Sequence, residues 1–341
     1  VGGGGSGLAA AVSAAEHGCS VLLLEKQPQL GGSTGIAVGS LTANRTTMQR
    51  AAQLEDTLDA HVEDAGKFAP ADIEARNNRE LRRWFLSHTA QTLDWLRGMG
   101  LAFHGPNPEP PNRVPRMHNV VPNAKAYIAR LQSRLLQLGG EIRCEAAVKK
   151  LLCEEGCVIG VKICVRDKPE ILRANRGVVL ACGDYANSHT LIAEHKGDQF
   201  AKIDGINPFA NGDGHRLAQE VDAHLMNMDI TYGPEIRFIA PQDKMSFTQL
   251  LPASGPLAWL IGRLLPFTPK FVVNAFIRRL LVTWQHPENS LFDDGAILIN
   301  TRGKRFCDET QWPEREIAIA NQEDKLSYIL LDEQLTLHYS A

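Results

Sequence analysis

Val1-Gly2-Gly3-Gly4-Gly5-Ser6-Gly7, followed by Leu8-Ala9-Ala10-Ala11-Val12-Ser13-Ala14-Ala15-Glu16-His17, decides the fold. Gly2, Gly4 and Gly7 satisfy GxGxxG. In that pattern the first glycine permits a tight strand-to-helix turn. The second lets backbone approach a pyrophosphate, and the third lets helix and strand pack closely. The Ala-rich run from Leu8 to His17 predicts a helix that Gly18 ends. The apolar run Val21-Leu22-Leu23-Leu24 predicts a buried parallel strand. Glu25 closes that strand about 20 residues after the glycines, where a carboxylate meets a ribose hydroxyl. An acid there disfavours a 2′-phosphate and so disfavours NADP. A helix N-terminus aimed at the phosphates offers unpaired N–H groups and the positive end of its dipole. Turn, helix, strand and acid make half of a doubly wound dinucleotide fold, so the expected class is α/β.

Outward from this core, Thr46 to Met99 has helical spacing. Its clearest stretch is Arg76 to Leu96, with Leu81, Trp84, Phe85, Leu93 and Leu96 as the apolar face. Ala124 to Leu138 predicts a helix ended by Gly139-Gly140. Strands are expected at Glu141–Cys144, Val148–Cys153, Val158–Val165 and Ile171–Ala174, with a turn at Gly156, and a further buried strand at Gly177–Ala181. Gly212-Asp213-Gly214 opens a helix through Val221, and Gly295–Asn300 and Tyr328–Leu331 read as strands. Both chain ends read as cut.

Of 341 residues, 44% are apolar and 22% charged, which excludes a disordered or fibrous chain. A net charge of -3 gives no reason to expect nucleic acid. Seven scattered cysteines form no CxxC and no zinc spacing. They read as free thiols in a reducing, cytoplasmic compartment. The apolar region Leu250–Trp284 is broken by Pro256, Arg263, Pro266, Pro269 and Lys270, and holds no run of the roughly 18 residues that a membrane span needs. Written as a helix, Phe271–Trp284 sets Val273, Phe276, Ile277, Leu280 and Trp284 against Lys270, Asn274, Arg278 and Gln285. Peripheral membrane contact through 257–284 is therefore one expectation. Packing on the chain's own core is the other.

Directly after the ribose-binding acid comes Gly31-Gly32-Ser33-Thr34-Gly35-Ile36-Ala37-Val38-Gly39, a second glycine cluster that an NAD domain does not need. It resembles the GG-[NST]-[ST]-x-x-[AS]-x-G loop of the flavoprotein family that includes fumarate reductase, the succinate dehydrogenase flavoprotein subunit and 3-ketosteroid Δ1-dehydrogenase. Residues Arg176 to Tyr185 are similar to the family's VVLATGGF strand, with Cys182 and Asp184 replacing Thr and Gly. Asn211-Gly212-Asp213-Gly214-His215 is similar to its TGDG turn. GAILINTRGKRFCDE, Gly295 to Glu309, resembles ILVNxxGKRFxDE.

The resemblance implies a Rossmann-like FAD-binding domain with an inserted α+β capping domain. Residues 1–229 would be the N-terminal part of the split FAD domain, and 230–341 an incomplete cap that takes a small-molecule substrate. The family's C-terminal flavin segment is not found. Implied FAD contacts are Gly2, Gly4, Gly5, Ser6, Gly7, Glu25, Lys26, Gly31, Gly32, Ser33, Thr34, Ala37, Gly39, Val148, Ala181, Gly183 and Asp213. Gly31 to Ser40 holds no His to bond to the flavin, so FAD is expected to be non-covalent. The implied reaction exchanges hydride between flavin N5 and a carbon–carbon bond next to a carbonyl, with an unnamed electron partner.

In the fumarate reductases an Arg after the RFxxE segment donates the proton. Arg315 is the candidate, two residues later than that pattern. A surface Arg at a helix start is the alternative. The family's His-Pro is replaced by Thr231-Tyr232-Gly233-Pro234, and the catalytic Tyr of the ketosteroid enzymes by Trp312-Pro313. Tyr232 and His118 are therefore further proton-carrier candidates, against a pocket wall and a polar loop residue. A lipophilic, steroid-like substrate, a dicarboxylate, and a flavin-binding or membrane-docking module without its own catalysis all stay open.

Overall fold

The computed structural model of the chain describes residues 1–166, 168–239 and 287–339. The stretch 257–284 lies outside them. The fold is mixed α/β and divides into two units. One comprises Val1–Gly183 with Arg216–His224. The other comprises Asp184–His215 with the described residues 225–239 and 287–339.

In the first unit the Ala-rich helix Gly5–Glu16 buries Gly7, Leu8, Ala11 and Val12. Ala costs no side-chain entropy in a helix, which suits this run. The helix shares a core with Lys125–Gln137, whose Tyr127, Ile128, Leu131 and Leu135 are buried. Leu22–Leu24 pairs in parallel with Glu141–Arg143, Leu22 opposite Glu141. Gly2 N–H reaches Leu24 O at 2.8 Å, and Ala181 N–H reaches Val1 O at 2.8 Å. Val1 and Gly2 thus run between Leu22–Leu24 and the segment around Ala181.

That segment departs from expectation. Residues 177–181 form no regular strand, and Val179 is 61% exposed rather than buried. Among the described residues its backbone pairs with Val1, through Ala181 N–H and Val179 O, which is too little pairing for a strand. The strands expected beyond Gly140 form as the parallel Glu141–Arg143 and an antiparallel meander, Ala146–Glu154, Cys157–Val165 and Lys168–Arg173, packed around Leu151, Val161 and Ile163.

The helix expected over Arg76 to Leu96 is two helices, Arg79–Ser87 and Thr89–Gly98, broken at His88. At the break the Leu86 carbonyl accepts from Thr89 Oγ1 at 3.0 Å and Asn44 Nδ2 at 2.8 Å. Leu93 and Leu96 are buried as expected, whereas Leu81, Trp84 and Phe85 face solvent. A continuous 3.6-residue stripe cannot survive a break that re-aims one half of it.

A buried polar cluster fills the same unit. Arg116 is fully buried and grips Asp56 through Nε and Nη2 at 2.8 and 2.7 Å, and Asp64 through Nη1 at 2.8 Å. Burial raises the cost of both carboxylates, but their hydrogen bonds to Arg116 and neighbouring donors hold them below the usual carboxylate range. Thr46 and Gln49 form a reciprocal capping box at the helix Thr47–Ala51. His118 lies in the strand Met117–Val121, not in a loop, fully buried between Thr46 Oγ1 at 3.1 Å and Arg116 O at 2.7 Å. His61 Nδ1 accepts from Asn44 Nδ2 at 2.8 Å.

Burial pushes the His61 imidazole down to about 4, and its accepted hydrogen bond requires the neutral ring. A depressed folded-state value means that this contribution is full above the unfolded value of about 6.5 and is lost as pH falls toward 4. At 1.36 kcal/mol per unit it amounts to about 3 kcal/mol. Urea unfolding from pH 7.5 to 4.5 should show this decline, and His61→Asn should remove that part of the slope.

Candidate functional site

Two arrangements carry chemistry, one in each unit. In the first, both glycine clusters meet. Gly31 N–H bonds to Gly3 O at 3.0 Å, Gly5 N–H to Thr34 Oγ1 at 3.2 Å, and Gly4 and Gly31 form a parallel bridge. Gly2 has φ +101°, and a Cβ on it would lie 2.2 Å from Ala181 O. A Cβ on Gly7 would lie 1.9 Å from Gly2 O. Both positions must therefore be glycine for the chain to pack at all. Gly4 differs: its backbone is ordinary extended chain, and a Cβ there would meet nothing closer than Gly31 O at 3.8 Å. No side chain caps the helix that follows, and its first turn holds no acid. An uncapped helix end beside a glycine that the protein's own packing does not require makes a cradle for an anion.

Glu25 ends the strand Leu22–Leu24, buried, and accepts Gly3 N–H at 2.7 Å and Gln27 N–H at 2.8 Å. A carboxylate has about four lone-pair sites, so two remain for a ribose. The fit to a dinucleotide thus rests on the cradle and on Glu25 together.

The second arrangement surrounds Arg315. It stands in the helix Glu314–Ala320 and is 4% exposed, which rules out the surface alternative. Its Nε and Nη2 bond to Glu316 Oε1 at 3.0 and 2.6 Å. Nη2 also bonds to Asn289 Oδ1 at 2.9 Å, and Nη1 to Glu309 O at 3.0 Å. The guanidinium lies 4.3 Å from the Phe292 ring centre. Glu309, also buried, accepts Leu298 N–H at 2.8 Å and is gripped by Arg305 at 2.6 Å, so the RFxxE segment is tied to the strand Ile297–Ile299. Burial opposes that charge, but Arg305 and the Leu298 N–H hold the Glu309 carboxyl below its usual value.

A cavity of about 240 Å³ is lined by Tyr232, Glu235, Asn289, Trp312, Arg315 and Glu316, among others. Trp312 Nε1 spans it to Pro234 O at 3.0 Å. Tyr232 is 88% exposed, and the adjacent Glu235 carboxylate keeps its phenol above the ordinary value.

The FAD binding domain family model matches residues 1–256. The chain belongs to the FAD binding domain family. Members bind FAD, and the cradle suits that cofactor. This FAD binding domain chain is 24% identical over 340 residues to "NADH:fumarate oxidoreductase" of Klebsiella pneumoniae (strain 342), covering 98% of itself and 32% of that protein. It is 28% identical over 313 residues to "Vinyl phenol reductase" of Lactiplantibacillus plantarum, covering 87% of itself and 61% of that protein. It therefore spans between about a third and three fifths of these relatives. In fold it resembles the open conformation of a flavocytochrome c3 fumarate reductase, with TM-score 0.73, 23% identity, all of this chain and 53% of the other.

Of the FAD contacts expected from sequence, Gly2, Gly4, Gly5, Gly7, Gly31, Gly32, Thr34 and Ala181 come together around the cradle. Ser6 and Ser33 are exposed and Lys26 is half-buried. Ala37 ends the short helix Gly32–Ile36. Gly39 is held between Val120 N–H and the Tyr127 hydroxyl. Val148 packs on the meander's core. Gly183 is exposed with φ +78°. Asp213 opens the helix Asp213–Gln219 and lies in the second unit. Arg315 and Tyr232 share the cavity. Sequence reasoning did not place Asn289, Glu235 or Glu316 at this cavity. It also missed the Arg116 cluster, for which only the Thr46-x-x-Gln49 capping pattern gave a signal.

Gly4→Ala and Gly7→Ala should separate binding from folding. Gly4→Ala should keep the parent melting temperature without cofactor and weaken FAD binding about tenfold or more, ~1.4 kcal/mol. Gly7→Ala should lower the melting temperature itself. Thermal melts and flavin titration of both variants check this.

Proposed function

We propose that this chain is the FAD-binding part, and part of the substrate-binding part, of an FAD-dependent oxidoreductase acting on a carbon–carbon bond next to a carbonyl. On this reading residues 1–229 belong to a Rossmann-like FAD-binding domain and 230–341 to an inserted α+β cap. Bound FAD supplies hydride transfer at N5. The names of both relatives, reductases of fumarate and of vinyl phenol, specify molecules with a carbon–carbon double bond.

One observation carries the proton-handling role of Arg315. A guanidinium has five N–H bonds. Among the described residues four of them are directed at Glu316, Asn289 and the Glu309 carbonyl. The fifth, on Nη1, is uncommitted in a residue that lines the cavity. The four fixed bonds orient the fork; the remaining N–H polarises a substrate carbonyl or delivers a proton. Tyr232, whose phenol the adjacent Glu235 carboxylate holds above its ordinary value, is the second donor at the same cavity.

The electron partner stays unnamed in this proposal, and a cytoplasmic setting with peripheral membrane contact through 257–284 stays part of it. No helix among the described residues is long and apolar enough to cross a membrane.

Full-length protein should be yellow and release its flavin on denaturation, since no His stands in Gly31 to Ser40. Flavin that sediments with the denatured chain would disprove non-covalent binding. Arg315→Lys should keep flavin and lose turnover by roughly 10², the contribution of a positioned acid, because lysine lacks the planar fork. Turnover within about threefold of the parent would move the role to Tyr232.

A further inference from the structure

The Glu316 carboxylate is 5% exposed and lines the Arg315 cavity. Its Oε1 takes two hydrogen bonds from Arg315. Its Oε2 is buried with no hydrogen-bond partner. Buried polar oxygens nearly always have partners, so an unpartnered one in a residue that lines a cavity calls for a donor.

Charge narrows what that donor can be. The lining contributes two carboxylates, Glu235 and Glu316, against the single guanidinium of Arg315. Arg237 lies outside the lining, 3.7 Å from Glu235. The positive charge of Arg315 is already offset by Glu316 at 2.6 Å. With two carboxylates against one guanidinium, the lining has no positive excess. A dianion entering it would meet one engaged guanidinium and two like charges. An ammonium would sit beside that guanidinium. A hydroxyl or phenol meets neither penalty.

We infer that Glu316 determines specificity: its Oε2 accepts a hydrogen bond from a neutral hydroxyl of the substrate, so the cavity takes hydroxylated enones in preference to dicarboxylates. This rests on the reading of the cavity as the substrate site. Glu316 acts by binding and takes no part in the hydride or proton transfer.

The test uses full-length yellow protein and four probes: 4-(4-hydroxyphenyl)but-3-en-2-one, its methyl ether, its analogue with a permanently charged trimethylammonium group in place of the hydroxyl, and fumarate. Dissociation constants come from perturbation of the flavin spectrum, and turnover from reoxidation of pre-reduced flavin. The phenol should bind about tenfold or more tighter than each of the others, the signature of a site built to pair with a hydroxyl. In Glu316→Gln, whose amide can also donate, the gap between phenol and ether should close to within about threefold. Equal affinities in the parent, tighter binding of fumarate or of the ammonium, or no binding of any probe would overturn the inference. A phenol preference without reoxidation by any probe supports the inference and overturns the oxidoreductase reading. Reoxidation by all probes without preference does the reverse.

Discussion

The Gly2 carbonyl sits where a side chain on Gly7 would be, 1.9 Å from the position of its Cβ. That approach lets the helix Gly5–Glu16 start directly on the turn. With the helix so placed, Gly2 pairs with Leu24, Ala181 closes over Gly2, and Glu25 reaches the Gly3 N–H. The second glycine loop then docks through Gly31 and Thr34. Each of these contacts is made by or to backbone, so side chains cannot adjust to rescue a shifted helix. Gly4 stands apart: packing leaves room there, and the room faces an uncapped helix end.

Both units bury an arginine with carboxylates, and the two arrangements differ in how fully their hydrogen bonds are satisfied. Arg116 is bound by Asp56, Asp64 and Asn112 within a network that includes Gln49 and His118. Breaking such a pair strands a buried charge, so the network holds together the loops around it. Arg315 has the same chemistry but leaves one N–H and one carboxylate oxygen of Glu316 uncommitted beside a cavity. A satisfied network fixes structure, whereas the incomplete one keeps the hydrogen-bonding capacity that the proposed substrate would use.

The two unexpected features of the helical region have one origin. Side chains of Asn44 and Thr89 converge on the Leu86 carbonyl, and the helix breaks two residues later. The same Asn44 donates to His61. Leu81, Trp84 and Phe85 lie before the break and turn outward, while Leu93 and Leu96 after it enter the core. Polar pairing across 42 and 45 residues thus overrides a local apolar period.

What could be read from sequence was what backbone geometry demands locally. GxGxxG, the Leu22–Leu24 run, Glu25 and the Gly31–Gly39 loop each act through local features, a positive φ at Gly2, Gly31, Gly32 and Gly39, a close approach at Gly7 and a short apolar strand ending in an acid. The glycines that meet at the cradle were therefore legible, as was the segment that ties Glu309 to Arg305, whereas Val148, expected beside them, packs on the meander's core and Asp213 belongs to the second unit. Tertiary structure alone decided the surroundings of each charged group. Nothing local marks Asn289 as a partner of Arg315, 26 residues on. Nothing marks His118 as buried, or Glu316 Oε2 as unpartnered. The physical reason is that backbone conformation is set by neighbours in sequence, whereas the energy of a charge is set by whatever the fold brings beside it.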